Sequence, residues 1–110
     1  MSFPPSSVIR DMAMFLEMAA LESAVLTLRP ELAGCLRTTD SGRPLLAFDV
    51  PDHERVVAGL VRGDAPGYVT MWVIEDGRPG DHASRWPRGT RSQQLAAAVV
   101  ERIDAVTTAP

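Results

Sequence analysis

Apolar residues in the first quarter of the chain recur at helical spacing. Met14, Met18, Leu21, Val25 and Leu28 fall on one stripe, and Val8, Met12, Phe15, Leu16 and Ala19 on a second. The remaining face, Arg10, Ala13, Glu17, Ala20, Ala24 and Thr27, is narrow and polar or small. This pattern predicts a helix capped by Ser6 or Ser7. It ends at Leu28, because a residue before proline, here Arg29 before Pro30, is pushed out of the α region. A surface helix on a small domain usually carries one apolar stripe. Two stripes predict cover from two sides, and on a short chain the second cover is expected to be another copy of the protein.

The middle of the chain switches to alternation. Residues 31–51 read as a β-hairpin turning at Asp40-Ser41-Gly42. In its second strand Leu46, Phe48 and Val50 share one face, and Leu45, Ala47 and Asp49 the other. Residues 52–63 fit either of two elements. As a strand the stretch is β-branched; as a helix, Asp52 caps it and Gly63 stops it. The strand reading is preferred. Residues 67–77 form the clearest strand. Val69, Met71 and Val73 face one way, and Tyr68, Thr70, Trp72 and Ile74 the other. Both sets are mostly apolar, which predicts a central strand covered on both sides.

A last helix is expected from about Arg91 to Val106, with Thr90 and Gln93 as a capping box. Its buried stripe is Leu95, Val99, Ile103 and Val106, while Gln94, Ala97, Glu101 and Asp104 face water. The predicted order is α-β-β-β-β-α, or α-β-β-α-β-α if residues 52–63 are helical. Both give a single two-layer α+β domain over residues 1–110, an antiparallel sheet of three to four strands flanked by N- and C-terminal helices. The ends, about 1–6 and 107–110, read as loose. The order resembles in outline that of small helix–sheet–helix dimers such as secretion chaperones and roadblock-like adaptors, and such a likeness of fold carries no function.

Composition narrows the class. A length of 110 residues, 45% apolar and 23% charged, supports one globular core. Glu17 and Glu22 interrupt the longest apolar stretch, so no membrane span is expected. The start of the chain has no basic region leading into a free apolar run, so no signal peptide is expected either. The single cysteine, Cys35, cannot form an internal disulfide, which fits a reducing cytoplasm. The net charge of −3 argues against a general nucleic-acid binder. All eleven basic residues are arginine, which, with the many Ala, Val, Gly and Pro, points to GC-rich bacterial coding. Charge is nevertheless uneven. Residues 1–77 carry six arginines against eleven acids, a net of −5, whereas 78–91 carry four arginines against Asp81 alone, a net of +3.

That basic loop reads first as a connection and cap for the last helix, and second as the best candidate for a binding site. Arg85, Arg88 and Arg91 lie just before the last helix, whose N-terminus attracts anions. Trp86 among them can stack on a flat ligand. The competing reading is a connection in which Trp86 folds onto the sheet and the arginines pair with Glu75, Asp76 and Asp81. Asp81-His82 is the weak candidate for a general base with its orienting acid. His53 reads as a solvated loop residue. No metal or cofactor is expected, because two histidines and one cysteine lie far apart without ligand spacing. Cys35 is expected inside a strand as a small buried hydrophobe.

The surplus apolar surface predicts a non-enzymatic interaction protein: an adaptor, chaperone-like or regulatory domain. It is expected as a homodimer through the first helix (Met14, Met18, Leu21, Val25) or the free sheet face, with a further protein partner. A domain that binds an anion, a nucleotide or the phosphate backbone of nucleic acid through 78–91 is the second reading, and an enzyme using His82 the third.

Overall fold

The computed structural model describes residues 6–38, 45–62, 70–78 and 83–108. Helix α1 spans Ser6–Leu28. A single 3-10 turn, Pro30–Gly34, leads into five strands: β1 Leu36–Thr38, β2 Leu45–Phe48, β3 Val56–Arg62, β4 Thr70–Asp76 and β5 Ser84–Pro87. Helix α2, Ser92–Thr108, closes the fold. The strands pair antiparallel in the order β1-β2-β3-β4-β5, an uncrossed meander. The architecture is the expected α+β domain, with a strand within 52–63, where the pattern fits two elements, and one strand more than expected.

The added strand lies inside the basic loop. Ser84-Arg85-Trp86-Pro87 alternates half-buried and exposed positions along β4, and Trp86 stands directly opposite Trp72. Four residues with one apolar side chain carry too little periodicity to read as a strand alone, and pairing with β4 decides it. The opposite difference occurs at 30–34. Alternation predicts a strand over much of this stretch, but it winds into a 3-10 turn, because Pro30 presets φ and removes a donor. Cys35 therefore sits in the turn before β1, where its thiol donates to the Leu32 carbonyl at 3.4 Å. The capping box is also absent. The Thr90 hydroxyl donates back to the Pro87 carbonyl at 2.7 Å and closes the turn after β5. At its far end α2 outruns the expected Val106. The hydroxyls of Thr107 and Thr108 donate to the Asp104 carbonyl at 3.0 and 2.7 Å and hold the last turn.

Both helices lie on one face of the sheet and pack along each other. The register puts Leu46, Ala58 and Ile74 in one row of that face and Leu60, Trp72 and Trp86 in the next. Phe48, Val56 and Asp76 form a third row. Met18, Leu21 and Val25 of α1 and Leu95, Val99, Ile103 and Val106 of α2 close over these rows, and all seven are buried. The α2 stripe is the one its spacing predicts. The α1 stripe stops at Val25, since Leu28 is 52% exposed.

One row ends in a charge. The Asp76 side chain is fully buried beside Val56, and burying a carboxylate without partners is costly. It accepts hydrogen bonds from the Arg78 backbone N–H at 2.9 Å, from that residue's guanidinium at 3.0 Å, and from Arg102 of α2 at 3.4 Å. The hydrogen bond to Asp76 raises the pKa of Arg78, so the guanidinium stays charged. Two further ion pairs clip the helical layer. Arg29, after α1, makes a two-pronged pair with Asp104 of α2 at 2.7 and 2.8 Å. Arg88 does the same with Glu17 of α1, the shortest contact being 2.9 Å.

Candidate interaction surfaces

The basic loop does not assemble one anion cradle. Arg88 is committed to Glu17 on the helical side of the sheet. Arg85, one step out of phase with Trp86, projects from the opposite face and is exposed. Arg91 is exposed just ahead of α2. Trp86 packs against the core, and its indole N–H donates to Ser84 Oγ at 3.2 Å. Trp86 and Arg88 thus hold the fold, and the four residues do not converge. Asp81 and His82 lie outside the described residues. Asp52-His53 forms a turn after β2. Pro51 precedes Asp52 at φ 63°, and the His53 N–H closes on the Val50 carbonyl at 3.1 Å, the pattern of a type II turn. Burial pushes the Cys35 thiol pKa up.

The exposed apolar surface is on α1, but not on the stripe that the spacing assigns to a partner. Met18, Leu21 and Val25 line the chain's own core, and Met14 packs against it. The second stripe is the open one. Phe15 is 62% exposed and Leu16 71%. Ala19, Ala20, Ser23, Thr27 and Leu28 continue the same outward face. No charged residue occurs on this face among the described side chains, since Glu17 and Glu22 sit half-buried at its flanks. Thr27 turns its hydroxyl onto the Ser23 carbonyl at 2.8 Å, which lowers the polarity of the face further.

Between the helices this face sinks into a groove of about 500 Å³, with Ala20, Ser23 and Ala24 on one wall and Ser92, Gln93 and Ala97 on the other. A smaller recess of about 230 Å³ shares Ala20 and Ser92 with it and reaches Trp72 past Leu16. Small side chains on facing turns leave this seam open; larger ones would have filled it. Phe15 and Leu16 stand as a ridge at one end.

The sheet offers a second surface on its other side. There the register aligns Arg37, Ala47, Val57 and Glu75 in one row and Leu45, Gly59, Val73 and Arg85 in the next. Val61 and Met71 follow in a third. No described helix packs on this face. Its signal is present in the sequence as the doubly apolar β4. In comparison with known proteins, no family model, no curated protein and no solved structure matches the chain, so the two surfaces rest on their own geometry.

Proposed function

We propose that this chain is a non-enzymatic protein–protein interaction domain, an adaptor or chaperone-like module of the cytoplasm that works as a homo-oligomer. The observation that carries the reading is the outward face of α1, without a charged residue among its described side chains, where Phe15, Leu16 and Leu28 stand exposed beside the groove shared with α2. Contiguous exposed apolar surface on a small domain marks a place where another molecule binds. A seam between two helices, walled by small side chains and headed by an aromatic ridge, suits an amphipathic helix laid along it. The partner is therefore read as an apolar helical segment of another protein.

Phe15→Glu combined with Leu16→Glu tests this. Both side chains are exposed, so folding and melting temperature are expected to stay as in the wild type. Protein purified gently from its own cells is expected to bring a companion in stoichiometric amount, which the double variant loses. Identical companions with both proteins, or none with either, would refute the reading.

A further inference from the structure

The second apolar surface, on the side of the sheet away from the helices, is self-complementary in its pattern of large, small and charged positions. The central strands β2 and β3 carry on it two rows, Leu45 beside Gly59 and Ala47 beside Val57. Each row pairs a large side chain with a small one, and the order reverses from one row to the next. Ala47 and Gly59 are buried between the half-buried side chains of Leu45 and Val57, so the larger member of each row forms the outer surface. The Ala47–Val57 row ends in opposite charges, Arg37 on β1 and Glu75 on β4. Strands lie about 4.8 Å apart, so these two charges stand about 7 Å to either side of the line between β2 and β3.

We propose that a second copy of this chain covers this face, related by a two-fold axis that runs parallel to the strands between β2 and β3. That axis sets β2 over the partner's β3 and β1 over its β4. Leu45 then stands over the partner copy's glycine 59 position, and Val57 over its alanine 47 position. Arg37 faces the carboxylate at position 75, twice by symmetry, as an isologous interface requires. The mean strand directions stay nearly aligned, which is the usual geometry for packed sheets about 10 Å apart. Charge selects this axis over its neighbour. An axis between β3 and β4 would lay Glu75 on Val57 and Arg85 on Leu45, leaving apolar ridges against charges. Both side chains are exposed enough to reach across such an interface. The Arg37 side chain is 62% exposed and reaches Asp49 only at 4.0 Å, while Asp49 is already held by Arg55. Glu75 is exposed and makes no ion pair among the described residues. The interface leaves the outward face of α1 open on the far side of the molecule, so it stands or falls independently of the partner site proposed there.

The test is a charge swap in the full chain. Sedimentation velocity over a concentration series is expected to show a wild-type dimer. Arg37→Glu and Glu75→Arg, each alone, set like charges together twice and raise the dimer Kd roughly tenfold. Mixing the two single variants restores both opposite-charge contacts, so native mass spectrometry is expected to find the mixed dimer in excess of either parent. Circular dichroism confirms that each variant is folded. A wild-type chain that stays monomeric up to high concentration would overturn the proposal. So would dimers with unchanged Kd in both variants and statistical mixing, and so would a dimer that dissolves on Leu16→Glu but ignores the charge swap.

Discussion

The two helices lie side by side on the same sheet and meet water differently. α2 turns Leu95, Val99, Ile103 and Val106 inward and shows Gln93, Gln94, Ala97 and Glu101 outward. Its apolar residues are used once, by the fold. α1 buries Met18, Leu21 and Val25 in the same core yet shows Phe15, Leu16, Ala19 and Leu28 to solvent. Folding accounts for every large apolar side chain described on α2 and for only part of those on α1. A helix that is apolar beyond what its own core needs has a second neighbour to satisfy. The same contrast holds between the two faces of the sheet, one closed by helices and one where Leu45, Val57 and Val73 are half-buried with no described helix over them.

The contrast within α1 can be broken most forcefully at Leu21. Leu21 is fully buried, so Leu21→Ala is expected to cost about 3 kcal/mol in transfer and cavity terms. Leu16→Ala, about a turn away but facing out, is expected to change stability by less than about 0.5 kcal/mol. Chemical denaturation of both variants checks the pair, and equal losses would mean that the outer stripe is also core.

Asp76→Ala tests the buried charge that ties β4 to α2. It leaves Arg78 and Arg102 without their shared carboxylate and is expected to cost about 3 kcal/mol by the same assay. Arg88→Ala removes the half-exposed clip to Glu17 and is expected to cost about 1 kcal/mol, less at high salt. Asp52→Gly is expected to be neutral or to stabilise by up to about 0.5 kcal/mol, because glycine adopts positive φ without strain. At the smallest scale, Cys35 reports on its turn through chemistry. Only the thiolate is alkylated, and burial raises the thiol pKa, so at mildly alkaline pH iodoacetamide is expected to react more slowly with Cys35 than with free cysteine.

Much of the fold is legible in side-chain period. The helical rhythm from Met14 to Val25 and from Leu95 to Val106 marks both core stripes, and the doubly apolar β4 marks the middle of the sheet. What period cannot express is pairing. β5 exists because Trp86 meets Trp72 across the ladder, and Arg88 is occupied because Glu17, 71 positions away, lies beside it in the fold. The interaction surface is half legible for the same reason. Two stripes on α1 are visible, but which of them faces the core depends on how the helix is rotated against the sheet. Spacing alone favours the stripe through Met18 and Leu21 as the partner's; in the fold Phe15 and Leu16 are the open ones. In the basic loop Trp86 packs on the core, as the connection reading expects, but charge density along the chain ignores alternation. Arg85 within β5 and Arg88 just after it end up on opposite faces.

The outward face of α1 is expected to be occupied in the cell while that of α2 is not. A photo-cross-linking amino acid placed at Leu16, and in a separate variant at Glu101, tests it in living cells. Both positions are exposed, so neither replacement disturbs the core. A discrete protein adduct is expected from position 16 and none from position 101. No adduct from 16, or the same adduct from both, would contradict it.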